Sequence, residues 1–294
     1  MSKRNLAIIG ATLVSLIYGV TFSVAKDVMP QYIQPFGFIV LRVLGATFLF
    51  WMVSFFSPKE KIALPDFLRI TAAAFFGVAF NMLTFFKGLS YTSPIMSAVL
   101  MVTSPILVLI FSAILVKEKL QLKKVVGIVL GLSGATILIL YGKSLASMPH
   151  AMLGNFLVFI NAVSYAFYLI IVKKLMDKYN AFTFVKWIYT IGFIMVLPFG
   201  WTEIQQIGWH AIPTDIYYKI GFVVLFSTFF TYLLNLLSMR QLSPTTVAVF
   251  MYLQPLFATV YAIGMGKDNL DMVKIGSAFL VFFGVYLVVI KKNK

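Results

Sequence analysis

The chain has 294 residues and a formal net charge of +15, yet 61% of it is hydrophobic and only 11% charged, with a mean hydropathy of +0.96. A soluble domain carries roughly 25% charged residues, so a soluble fold is excluded, and the basic excess reads as loop lysines and arginines of a membrane protein rather than a nucleic-acid surface. With no cysteine, disulfides, thiolate metal sites and cysteine nucleophiles are excluded as well.

A helix crosses a bilayer in about 20 mostly apolar residues, and ten such blocks follow one another at 6–25, 36–56, 67–87, 92–115, 124–141, 151–172, 182–200, 216–238, 244–264 and 272–290. The first follows Met1-Ser2-Lys3-Arg4 but is too long for a signal peptide and has no small-residue cleavage site before Lys26, so it reads as a span. It sets Ser15, Tyr18 and Phe22 on about one face. The second holds Arg42 far from either end, at a cost of ~3 kcal/mol. All nine acidic residues (Asp27, Glu60, Asp66, Glu118, Asp177, Glu203, Asp215, Asp268 and Asp271) are placed in connections, so no carboxylate within a span pairs with it. Arg42 is therefore a candidate counter-ion for a substrate carboxylate or phosphate. The alternative is a structural arginine capping backbone carbonyls or reaching outward.

The third span aligns Gly77, Asn81 and Thr84; the sixth aligns Asn161, Tyr165 and Tyr168; the eighth aligns Thr228, Tyr232 and Asn235. Such stripes can enclose a polar, aromatic central cavity, or serve interhelical hydrogen bonds worth about 0.6–2 kcal/mol each. The fourth and ninth spans carry Ser104-Pro105 and Gln254-Pro255. Each proline lacks an N–H, which frees the carbonyls of Met101 and Met251. Pro105 and Pro255 are thus candidate hinges, with plain kinks as the alternative. Tyr252 stands close by. Gly127 and Gly131 in the fifth span, and Gly276 and Gly284 in the tenth, mark packing seams, with dimerisation a weaker alternative. The candidate substrate-binding set is Arg42, Tyr18, Asn81, Ser104, Asn161, Tyr165, Tyr168, Tyr232, Asn235, Tyr252 and Gln254.

With the N-terminus inside, 16 basic residues (Lys3, Arg4, Lys59, Lys61, Arg69, Lys117, Lys119, Lys123, Lys124, Lys173, Lys174, Lys178, Arg240, Lys291, Lys292 and Lys294) fall in inside segments and 6 (Lys26, Lys87, Lys143, Lys219, Lys267 and Lys274) outside. Arg42 and Lys186 lie within spans and are not counted. This asymmetry predicts both termini in the cytoplasm. An offset of 150 lays Ser93-Pro94 on Ser243-Pro244, Ala98 on Ala248, Pro105 on Pro255, Glu118 on Asp268 and Gly134 on Gly284. Near the start, an offset of 147 lays Tyr18 on Tyr165 and Lys26 on Lys173. Five spans are an odd number, so the second unit enters from the opposite side. The expected fold is all-α and integral to the membrane: ten transmembrane helices as two five-helix inverted-topology repeats, 1–146 and 147–294.

The stretch Val116-Lys117-Glu118-Lys119-Leu120, with Val126-Gly127-Ile128-Val129-Leu130-Gly131-Leu132-Ser133-Gly134, resembles the end of the first repeat in EamA-type transporters of the drug/metabolite transporter superfamily. Tyr18-Gly19, Arg42 and Ser93-Pro94 support the resemblance, which covers essentially the whole chain; Gly266-Lys267-Asp268-Asn269 departs from it. It implies export of amino acids or related metabolites. Paired carboxylates, a His-Glu-x-x-His motif and loops able to fold a catalytic face are absent from the sequence, so no enzyme, cofactor or metal is expected. The expected function is alternating-access transport of a small metabolite, as exporter or exchanger, with no carboxylate relay of protons through the core. A flippase for a lipid-linked or phosphorylated amphipath is the alternative. Expected partners are the solute and membrane lipids, not nucleic acid. A monomer suffices, with a homodimer as the alternative, and the expected location is the cell (inner) membrane.

Overall fold

Ten helices long and apolar enough to cross a bilayer make up the computed structural model, which describes residues 2–290 apart from 59, 93, 142–149, 265, 267 and 268. They are α1 (Lys3–Val28), α2 (Pro35–Ser54), α3 (Leu64–Tyr91), α4 (Pro94–Met101, then Ser104–Leu115), α5 (Leu122–Leu140), α6 (Ala151–Met176), α7 (Ala181–Gln205), α8 (Thr214–Met239), α9 (Pro244–Gly264) and α10 (Met272–Val289). The expected calls on Ser93, Asp268, Lys59, Lys143, Lys267, Lys291, Lys292 and Lys294, and on the side chains of Phe22, Lys26 and Pro94, lie outside the described residues.

Helix starts follow local chemistry. Asn180 and Asp271 accept from the amides of Phe182 and Lys274 at 3.2 and 2.9 Å, satisfying N–H groups that a helix leaves free. Proline occupies the first turn of α2, α3 and α9, where its missing N–H costs nothing. The helices run further than hydropathy alone marks. Asp27, Asp66, Glu203 and Asp215 lie inside helix ends rather than in connections, which corrects the expected placement. Asp66 and Asp215 sit in first turns, where the helix dipole favours a carboxylate.

The packing has the symmetry of an inverted repeat. α2 packs on α7 and α5 on α10, each a helix against its own counterpart. The pairs α3·α6 and α8·α1, α4·α6 and α9·α1, and α2·α8 and α7·α3 then exchange under the same pseudo-two-fold. Each half thus buries its surface mainly in the other. The α5·α10 seam is close: a Cβ at Gly127 would lie 2.6 Å from the Gly284 carbonyl oxygen, and one at Gly284 2.5 Å from that of Gly127. Gly127 and Gly284 therefore work within the chain, letting two backbones touch, whereas Gly276, expected on this seam, faces open space and takes no part in it.

The same symmetry clamps α2 to α7 at both ends. Glu60 accepts from the Asn180 amide (2.8 Å) and the Thr183 hydroxyl (2.6 Å) at the N-terminus of α7. Glu203 accepts from the Gly37 amide (2.8 Å) at the N-terminus of α2. Both carboxylates lie on the positive end of the facing helix.

Candidate functional site

Four departures from regular helix surround the middle of the molecule. α3 makes a π turn over Phe75–Ala79 and α8 one over Val223–Phe230. These lie at equivalent positions of the two halves, and π turns are frequent at functional sites. α4 breaks between Met101 and Ser104, and α9 tightens to a 3₁₀ turn over Phe250–Tyr252. The breaks thus fall just before the prolines, as the missing N–H groups require. The Ser104 hydroxyl donates to the freed Met101 carbonyl at 2.7 Å, and Ser15 of α1 donates to the Phe250 carbonyl, one residue before Met251, at 2.7 Å.

The π turns also free carbonyls, and these organise the polar residues. The Ser164 hydroxyl donates to Phe76 O (2.7 Å) and the Tyr232 hydroxyl to Gly77 O (2.7 Å). In α8 the Thr228 hydroxyl donates five residues back to Val223 O at 2.8 Å, and its oxygen receives Arg42 Nε at 3.2 Å. Arg42 is 8% exposed. Among the described residues its Nη groups make no hydrogen bond, the one side-chain hydrogen bond of Arg42 being that of Nε. The Phe86 ring lies 6.0 Å from its Cζ, and the phenols of Tyr18, Tyr189 and Tyr232 lie within electrostatic range. A guanidinium anchored through Nε presents its remaining fork to a planar oxyanion.

Beside Arg42 runs a chain of tyrosines. Tyr189 meets Tyr232 edge-on at 5.1 Å, Tyr232 lies 6.0 Å from Tyr168, and Tyr168 lies 6.3 Å from Tyr165. Tyr18, Tyr165 and Tyr232 are deeply embedded, yet each keeps part of its surface uncovered. Asn161 donates to Asn81 O at 2.6 Å and Asn81 to Asn161 O at 3.4 Å, bridging α6 and α3, while Asn161 Oδ1 is buried without a partner. Asn235 is buried and Gln254 half-buried; the Gln254 carbonyl lies 2.8 Å from where a Cβ on Gly19 would stand. Tyr252 packs its ring against Gly131 of α5, so its packing is with the seam rather than the tyrosine chain. The Ser104 hydroxyl is engaged by its own helix.

Two features escaped the sequence patterns, and of a third only the motif, not the role, was read. Tyr189 is fully buried in α7, and the offset of 147 lays it on Arg42 rather than on a second tyrosine, so the repeat gave no signal. The π turns have no residue signature. The third is Glu118, which bridges the halves on the face where α1 begins and α10 ends. It accepts from Ser243 and Thr245 of the α9 start at 2.9 Å each and pairs with Lys124 at 2.6 Å. Lys117 before it takes a left-handed φ of 54°, turning the chain toward α9. On the same face Arg4 donates to Val289 O, Lys173 to Met239 O at 3.0 Å, and Asp66 (2% exposed) gathers Lys178, Tyr179 and Arg69. The Asp66 carboxylate beside Lys178 holds that ammonium above its ordinary pKa.

Ten spanning helices in two interlocked, inverted halves around a buried cation define a membrane transporter. The chain belongs to the EamA-like transporter family, whose model matches it twice, over residues 5–140 and 152–290. An uncharacterized transporter of Bacillus subtilis, YetK, is 26% identical over 100% of this chain and 90% of its own. An uncharacterized transporter of Archaeoglobus fulgidus is 27% identical over 94% of this chain and 95% of its own. A crystal structure 14% identical, covering 97% of this chain and 96% of that one, superposes with a TM-score of 0.79 and shares the fold.

Proposed function

We propose that this transporter carries small organic anions or zwitterions, amino acids first among them, by alternating access, as an exporter or exchanger. The observation that carries the reading is Arg42: a buried guanidinium, fixed through Nε, with its outer fork unengaged and a bank of tyrosines beside it. A charge held there without a carboxylate is costly, and a substrate anion offsets that cost. Tyr18, Asn81, Asn161, Tyr165, Tyr168, Tyr232 and Asn235 are proposed to line the path. Tyr252, Ser104 and Gln254 support it from the α4 and α9 breaks, where Pro105 and Pro255 act as hinges.

The clamped α2·α7 pair and the α5·α10 seam are the fixed elements in this proposal. The α3–α4–α6 group and the α1–α8–α9 group rock against them, since each packs across the two-fold on its own helices. The terminal face, tied by Glu118, Lys173 and Arg4, is proposed to be the closed and cytoplasmic one, a reading the basic-residue asymmetry supports. The two repeats are taken to meet between residues 146 and 147, and one chain suffices. Among the described residues no carboxylate pairs with Arg42 to relay protons, so transport is proposed to need no proton gradient.

The test is counterflow in proteoliposomes at equal pH, preloaded with a mixed amino-acid pool and offered labelled amino acids one at a time. Transient accumulation that is lost in Arg42→Ala supports the reading. Accumulation that is unaffected by Arg42→Ala removes the counter-ion. No accumulation by inserted protein shifts the reading to a phosphorylated or lipid-linked amphipath.

A further inference from the structure

Tyr189 is fully buried, and its hydroxyl has no hydrogen-bond partner. Its ring is fixed against Phe50 at 4.8 Å and Tyr232 at 5.1 Å, so the hydroxyl cannot swing to a new acceptor. It lies toward the Tyr232 oxygen, whose own O–H is donated to Gly77, but does not reach hydrogen-bond geometry with it. A phenylalanine would fill the same space and remove an unpaired buried polar group, which proteins rarely tolerate without a use for it.

The position gives that use. Phe50 stands eight residues beyond Arg42 on α2, about 12 Å along the helix. The extended arginine side chain closes part of that distance and brings its charge within range of the phenol. Tyr168 also has an unpaired buried hydroxyl, but it lies on the far side of Tyr232. The offset of 147 that lays Gly45 on Gly192, each packed against a valine of the facing π turn, lays Arg42 on Tyr189, so neither polar group is duplicated and the two mark one direction along the α2·α7 pair.

We propose that Tyr189 is a specificity-determining residue: its hydroxyl holds the second polar group of a bifunctional solute whose anionic group sits on Arg42. The proposal rests on the reading of Arg42 as counter-ion. A site built to hydrogen-bond a substrate group disfavours the analogue that lacks it, because the buried partner is then left unpaired. The site therefore selects 2-amino or 2-hydroxy acids over plain carboxylates.

The experiment is ligand-induced thermal stabilisation of the purified full-length protein, which reports apparent affinity. The probes are matched sets of L-amino acid, 2-hydroxy acid and plain carboxylate bearing the same side chain. Wild type is expected to bind a bifunctional member about tenfold more tightly than its plain carboxylate. Tyr189→Phe should abolish that preference, leave plain-carboxylate affinity unchanged, and keep or raise the ligand-free Tm. Arg42→Gln should weaken all members of a set together. A preference that persists in Tyr189→Phe while Arg42→Gln weakens binding overturns the role of Tyr189 and leaves Arg42 standing. Unchanged binding in Arg42→Gln, or no stabilisation of wild type by any probe, overturns both.

Discussion

Gly77 is where the π turn of α3 meets the tyrosine chain, and it admits no side chain. A Cβ built there would lie 2.5 Å from Tyr168 Cε2, 2.8 Å from Cγ and nearer still to Cδ2. Tyr168 is 3% exposed, with Tyr165 and Tyr232 beside it, so the ring has nowhere to retreat. Overpacking of this kind costs about 1–3 kcal/mol, and loss of the Tyr232 bond to Gly77 O would add about 1 kcal/mol. Gly77→Ala is therefore expected to destabilise the protein by about 2–4 kcal/mol. Tyr168→Ala alone should cost about 3–5 kcal/mol by leaving a cavity. In the double variant the new methyl enters that cavity, so Gly77→Ala should cost little or nothing there, a coupling of about 1–3 kcal/mol. Unfolding in micelles, followed by the fluorescence of the four tryptophans, gives the cycle. Equal costs for Gly77→Ala in both backgrounds would refute the steric argument, and with it the claim that the π turn and the tyrosine chain form one unit.

Glu118→Gln should loosen the terminal face. In this cysteine-free chain, a cysteine introduced at Thr246, 6% exposed beside the latch, should label several-fold faster in Glu118→Gln; equal labelling would show the latch holds nothing shut. Glu203→Ala should cost about 1–2 kcal/mol and the more exposed Glu60→Ala about 0.5–1 kcal/mol. The two clamps lie at opposite ends of one helix pair, so the costs should add; strong coupling between them would contradict independent clamps. Asp271 accepts from the Lys274 amide, which holds its carboxyl below the ordinary carboxylate pKa. Its stabilisation of α10 is present above that ordinary value and fades as pH falls through the folded-state pKa. Asp271→Ala should thus lower Tm at neutral pH and converge with wild type in strong acid; a gap that persists there would mean that the loss is not electrostatic.

Much of the molecule was readable before any coordinates, for reasons that differ by element. The ten spans were legible because hydrocarbon thickness dictates block length, and the duplication because prolines and glycines are positionally demanding. Arg42 was legible because charge in a bilayer is rare, and Tyr165 and Tyr168 because they recur at helical spacing. The π turns of α3 and α8 were not, since an extra residue in a turn needs no particular side chain and is fixed by packing across the two-fold. Tyr189 was hidden because a lone tyrosine in an apolar span looks like any other packing residue. Asp66 and Glu203 were assigned to connections because hydropathy ends where the first charge appears, whereas the helices continue and use those charges as caps and clamps.

The α2·α7 pair shows how a duplicated scaffold can serve an asymmetric solute. The clamps at the two ends respect the two-fold in kind: Glu60 and Glu203 each bind the start of the other helix. Alternating access requires this, because the inward-open and outward-open forms exchange the roles of the two halves, and a pivot must be equally sound at both faces. Between the clamps the offset of 147 that pairs Gly45 with Gly192 pairs Arg42 with Tyr189, so the symmetry of the chemistry is gone. A strictly symmetric middle would offer two cations and bind a small anion in two opposed orientations. Confining the charge to one helix and the unpaired hydroxyl to the other removes that degeneracy while leaving the pivot intact.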